Sequence, residues 1–214
     1  MFDDTREWLE ADGRGGFASG TVCGVRTRRY HALLLPATTP PTGRIVLVSG
    51  IDAWVDVGGA SWPLTSQRYA PDVIFPGGAG YLESFTPRPW PAWQYAYPDG
   101  SRIRQQLLVE HGTGAVLLAW TLLDAPGPAT LRVRPFMSGR DYHALHRRND
   151  AFDFRPATAG ARVTFSPYPG LPSIHVESNG RYCHQPDWYL NFLYRVEAER
   201  GLDAIERPGS GGSH

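Results

Sequence analysis

A chain of 214 residues with 21 basic and 21 acidic side chains has a formal net charge of zero, so it offers no basic stripe for nucleic-acid phosphates. An apolar fraction of 42% suffices for a sizeable core and argues against wholesale disorder. Every basic residue is Arg, which excludes Schiff-base lysine chemistry and a Walker-type phosphate lysine. Cys23 and Cys183 lie far apart in no Cys-x-x-Cys pattern; a fold that brought them together would allow a cross-link, and they read first as two free, buried thiols of a cytosolic protein. The charged N-terminal residues Asp3, Asp4, Arg6, Glu7 and Glu10 do not resemble a signal region. No apolar run approaches the ~20 residues of a membrane span. The expected compartment is the cytoplasm, with no membrane and no nucleic acid as partner.

Nineteen Pro and 24 Gly break the chain into short β-rich runs, the pattern of an all-β sandwich or barrel. Arg29 to Leu35 ends in a continuous apolar stretch and predicts an inner strand. Arg44–Val48 and Ile51–Val57 predict two strands meeting at Ser49-Gly50. Ala92–Tyr97 and Ser101–Glu110 predict a hairpin across Pro98-Asp99-Gly100, where Asp-Gly readily takes positive φ. Gly114–Leu123 and Ala129–Phe136 predict another strand–turn–strand unit. Residues 138–150 are polar and read as an exposed loop or one short helix. Ala161–Ser166 and Ser173–Glu177 resume as strands, and the alternation over Tyr189–Glu199 predicts a last one. The folded domain is set at residues 1–203, with 204–214 a flexible Gly/Ser-rich tail.

Motifs carrying chemistry are sparse. Arg14-Gly15-Gly16 lacks the spacing and the Lys of a phosphate loop, and reads as a tight turn feeding a strand. His143 and His146 could share one face of a helical turn as metal ligands, but a bare His-x-x-His reads first as hydrogen-bonding histidines; no metal site and no cofactor are assigned. A glycosidase needs two convergent carboxyl groups, for which Asp141, Asp187, Glu197 and Glu199 are available. In an extended chain Glu197 and Glu199 would share a face roughly 7 Å apart, yet Arg195 and Arg200 beside them favour surface ion pairing. No catalytic residue is therefore assigned. The segment from Pro87 to Tyr95 holds Trp90, Trp93 and Tyr95 on an extended, proline-rich backbone. Exposed rings there would stack on a pyranose face, whereas core packing is the ordinary role of such residues.

Several segments together resemble the N-terminal domain of bacterial and archaeal glycogen debranching enzymes of the amylo-α-1,6-glucosidase type. They are Glu7-Trp8-Leu9, Gly13-Arg14-Gly15-Gly16-Phe17-Ala18, Thr21-Val22-Cys23-Gly24, and Thr27 to Leu34 around Arg29-Tyr30-His31. Pro76-Gly77, Arg140-Asp141-Tyr142-His143, Trp188 to Tyr194 around Asn191, and Glu197 to Gly201 follow in the family's order. Ala32 departs from the family's usual Gly. The resemblance implies a large antiparallel β-sandwich, similar to the N-terminal domain of bacterial glucoamylases. It also implies an (α/α)6-barrel as catalytic partner, with the acidic residues that cleave α-1,6 branches. No barrel is encoded in this sequence, which reads as a truncated chain, a separately encoded domain or a degenerate gene product.

Three functions are expected in this order. A noncatalytic domain would support the glucan cleft of the barrel, with Arg29, Tyr30, His31, Arg140, Asp141, Tyr142 and His143 ordering loops there and Trp188 and Asn191 as structural motif residues. An autonomous glycogen-binding module would use Trp90, Trp93 and Tyr95, joined by Arg140, Asp141 and His143. A small glycosidase would use Asp141 with Glu197 or Glu199. An unpaired docking face would expose apolar surface or drive homo-oligomerisation.

Overall fold

The computed structural model describes residues 3–206, and its regular structure is almost wholly antiparallel strands. Strands β1 (Glu7–Ala11) and β2 (Phe17–Thr21) pair across a turn in which Asp12 accepts the amides of Arg14 and Gly16 through Oδ1. Gly15 takes φ +99° there, and a Cβ would also strike the backbone of Pro41; this is the tight turn feeding a strand that the Gly-Gly pair implied. Next come β3 (Ala32–Leu35), β4 (Ala37–Thr39) and β5 (Thr42–Val57). The expected break at Ser49-Gly50 does not occur. Strand β5 runs unbroken for 16 residues: Ser49 is taken up as a bulge, with consecutive Phe136 and Met137 of the partner strand facing Gly50 and Val48, so the ladder resumes on both sides.

Strands β6 (Ala60–Pro63), β7 (Ser66–Tyr69), β8 (Val73–Gly77) and β9 (Leu82–Thr86) lead to the expected hairpin of β10 (Ala92–Ala96) and β11 (Arg102–Glu110). At its tip Gly100 has φ +87°, and Ser101 donates its amide to the Asp99 carboxylate. Strands β12 (Ala115–Asp124) and β13 (Ala129–Asp141) are both present but do not pair. β12 joins β11 and β13 joins β5, so the Ala125–Pro128 link crosses between sheets. Strands β14 (Pro156–Ala159), β15 (Arg162–Phe165) and β16 (Ile174–Glu177) form a meander, followed by the short helix α1 (Arg195–Glu199).

Two sheets enclose the main core. One has seven strands in the order β1-β2-β3-β5-β13, with β4 and β6 also on β5; the other is β12-β11-β10-β9. Ala53, Val55 and Val57 of β5 face Trp93, Tyr95, Tyr97, Ile103 and Leu107, the alternation expected of a sandwich. The upstream half of β5 puts Leu47 and Val48 against Val163, Phe165 and Ile174 of the meander, so one strand serves two cores. The all-β sandwich class is therefore as expected.

Two segments differ from expectation. Residues 138–150 are not one exposed stretch: β13 carries Ser138 and Arg140 into the interior, and the chain turns only after Asp141. Residues 189–199 form no strand. Phe192 and Leu193 make single bridges to Tyr69 and Ile205, and the chain then winds into α1. Asn191 sits at φ +64° before that step, a position Asn tolerates better than most residues. Of the predicted tail, Ala204 and Glu206 are buried and Ile205 bridges Leu193, so packing continues to Glu206. The remainder, 207–214, lies outside the described residues.

Candidate functional site

Several of the segments singled out by motif meet at one end of the seven-stranded sheet, where buried charges tie them together beside a small apolar cluster of Ala32, Leu35 and Val46. After β2 the chain loops back through Arg26 to His31 before β3. Arg140, at the end of β13, reaches into this loop: its guanidinium donates to the carbonyl of Arg29 at 2.7 Å and to that of Ala144 at 2.9 Å. Its Nε lies 3.4 Å from Glu206 Oε1, an ion pair without hydrogen-bond alignment. Glu206 also accepts from the Tyr194 hydroxyl at 3.1 Å. Arg29 donates its amide to Glu197 at 3.2 Å and its guanidinium to the His143 carbonyl at 2.6 Å.

Glu197 is 0% exposed and flanked by Arg29 at 3.6 Å and Arg200 at 3.5 Å. Surface pairing was expected, but the helical turn aims Glu197 inward while Glu199 stays exposed and pairs with Arg195. A fully buried carboxylate bound to two guanidinium groups is not reachable by a glycosidic oxygen. Asp141 is exposed, and it caps the following turn by accepting the His143 amide at 2.8 Å. Its pairing with Glu197 as acid and base is thereby removed.

Below this lock lies an open cleft of about 370 Å³, lined among others by Glu7, Trp8, Phe17, Arg28, Tyr30 and Tyr142. That volume falls within the usual range for small-molecule sites. Tyr30 and Tyr142 lie 5.4 Å apart between ring centroids, and the Tyr30 hydroxyl meets His143 Nδ1 at 3.1 Å. Glu7 is the single carboxylate among the described lining residues. It accepts from Arg28 at 2.7 Å and lies 3.3 Å from His31 Nε2. His31 Nδ1 accepts the amide of Thr27 at 3.1 Å, so the neutral ring carries its proton on Nε2 toward Glu7. Burial, with Arg28 and Arg26 nearby, lowers the His31 pKa to about 4 against the pull of Glu7. Aromatic faces beside a carboxylate, a guanidinium and an imidazole can stack on a flat polyol and hydrogen-bond its hydroxyls. They cannot supply the second carboxyl group of a glycosidase.

The expected aromatic platform is not assembled. Trp93 and Tyr95 are 4% and 5% exposed, because alternate residues of β10 face the other sheet; Trp93 donates to the Val22 carbonyl at 2.9 Å and packs edge-on against Trp8. Rings so enclosed cannot stack on a sugar. Trp90 remains 39% exposed but lies outside the cleft. His143 and His146 do not converge: the first meets Tyr30 and the second the Tyr168 hydroxyl at 2.9 Å. Among the described residues no group of three His, Cys, Asp or Glu side chains could hold a metal ion. Trp188 packs against His146, Phe152 and Phe154 behind the site. The amide of Asn191 donates to the Glu206 carbonyl, tying the C-terminal segment down.

Sequence reasoning missed Glu7, Trp8, Phe17 and Arg28 as site residues, although all four lie in the resembling segments. It also missed Arg26, buried between Ser49, Gln67 and the Phe192 ring, and Glu206. A family model described as "Glycogen debranching enzyme N terminal" matches residues 6–212. No curated protein and no solved structure matches the chain.

Proposed function

Since the chain belongs to the glycogen debranching enzyme N-terminal family, we propose that it is a noncatalytic domain supporting the glucan cleft of an (α/α)6 α-1,6-glucosidase domain. The observation that carries this reading is the Arg140–Glu206 and Arg29–Glu197 lock, which gathers four distant segments at one end of the sandwich. Such an end presents rigid loops to a neighbour while its own carboxylates stay tied to guanidinium groups. The test is complementation. A separately produced barrel domain of this enzyme type, assayed on a branched α-1,6 dextrin, is expected to gain rate and thermal stability when the chain is added. Arg140→Ala abolishes the gain. Release of glucose by the chain alone overturns the noncatalytic assignment.

A second reading, an autonomous glucan-binding module, is favoured by the aromatic cleft. Affinity electrophoresis in glycogen gels then shows retardation that a Tyr30→Ala, Tyr142→Ala double variant loses and Trp90→Ala retains. The cytoplasm belongs to the same proposal: Cys23 and the exposed Cys183 are both free, as a reducing compartment would keep them. The expectation of two buried thiols holds for Cys23 alone. No helix of the described residues is long and apolar enough to cross a membrane.

A further inference from the structure

Along their main paths the two sheets end on four strands, and three of them are guarded; β4 and β6, which pair with β5 alone, span only three and four residues, and short edges offer little to a foreign strand. The seven-stranded sheet stops at β1 and β13, the four-stranded one at β9 and β12. β1 carries Glu7 and Glu10, β9 carries Glu83, and β13 carries Arg132, Arg134 and Pro135. Charges and prolines of this kind deter a foreign strand from adding to an open edge. β12 has neither: Ala115 to Leu123 is free of charge and proline, and Asp124 comes only at its end. Among the described residues no strand pairs with its outer side. It is also the most apolar at its surface. Leu117 is 52% exposed, opposite the exposed Leu108 of β11, with Leu122 and Leu123 exposed further along.

We propose that β12 is a self-association edge, pairing antiparallel with β12 of a second copy about a two-fold axis. An open ladder of amides and carbonyls is filled only by another extended strand, and the charge pattern selects a copy of this one. A neutral strand meets itself without repulsion, whereas each guarded edge would face its own like charges. A register centred on Trp120 sets Leu117 opposite Leu123 of the second copy and the half-buried Leu118 opposite Leu122, so each of the exposed Leu117, Leu122 and Leu123 meets a leucine of the other copy. The two four-stranded sheets become one of eight strands, with an isologous interface. Association through this edge requires no glucan.

Sedimentation velocity of the full chain across a concentration series tests the proposal. The expected result is a reversible dimer. Ala119→Lys with Thr121→Lys places two like-charge pairs across the axis and is expected to weaken dimerisation by about a hundredfold or more, with circular dichroism unchanged. Leu9→Lys, on the guarded β1 edge, leaves the dimer intact. Should the lysine pair unfold the chain, Ala119→Glu with Thr121→Glu carries the same test. A chain that stays monomeric at the highest concentration overturns the proposal. So does a dimer that survives either folded double-charge variant, or one that Leu9→Lys abolishes equally.

Discussion

The sandwich core and the motif end bury similar kinds of backbone in opposite ways. In the core, Val55, Trp93, Tyr95, Ile103 and Leu107 meet as apolar surface, and the few polar atoms, such as the Trp93 indole, find backbone carbonyls. At the motif end, Arg26, Arg140, Glu197 and Glu206 are themselves buried, and the strand and turn geometry is arranged around their hydrogen bonds. Apolar burial is non-directional and tolerates substitution when volume is kept. A buried ion pair is directional, and removing one partner strands the other. The difference teaches where position is held to fractions of an ångström: the core supplies the bulk of stability, and the polar end sets the shape of the cleft rim.

The largest expected effects come from breaking each region once. Trp93→Ala should cost about 3–5 kcal/mol through lost transfer energy and the cavity left behind. Arg140→Ala should cost about 3–5 kcal/mol by leaving Glu206 buried without its counter-charge. Urea unfolding measures both, and a double cycle separates them. Adding Glu206→Ala to Arg140→Ala should recover part of that loss, whereas Trp93→Ala adds independently.

A smaller effect is pH-dependent and belongs to the polar end alone. His31 is neutral in the fold down to about pH 4, while in the unfolded chain it protonates near 6.5. Between those values the unfolded state binds the extra proton, so stability is full above 6.5 and falls as pH drops toward 4, by on the order of 3 kcal/mol. Burial lowers the pKa of His146 in the same direction. Melting curves of His31→Asn should show a shallower decline across this window; an unchanged slope would assign the decline to other groups. The smallest effect is at Trp90. Three residues from Trp93 but exposed, it should change stability by less than about 0.5 kcal/mol on replacement by Ala, and a large loss would mean that its ring is not free.

The fold class and most strands were legible because period-two alternation and Gly/Pro punctuation are local signals. The β10–β11 hairpin was readable from Asp99-Gly100 alone. Strand β5 was misjudged at Ser49-Gly50, since whether a glycine ends a strand depends on what its partner, here β13, does opposite it. The platform of Trp93 and Tyr95 failed for a related reason: alternation shows that two rings share a face, not which face is covered.

The sequence by itself determined the all-β class, the exclusion of lysine chemistry, and the family resemblance, all of which reside in residue type and order. Only the tertiary structure decided that Glu197 is an internal counter-ion, that Trp93 is core, and that Glu7, Trp8, Phe17, Arg28, Tyr30 and Tyr142 line one cleft. Those facts join residues more than a hundred positions apart, as Arg29 joins Glu197. Long-range pairing of that kind is set by sheet order and register, which no local pattern encodes.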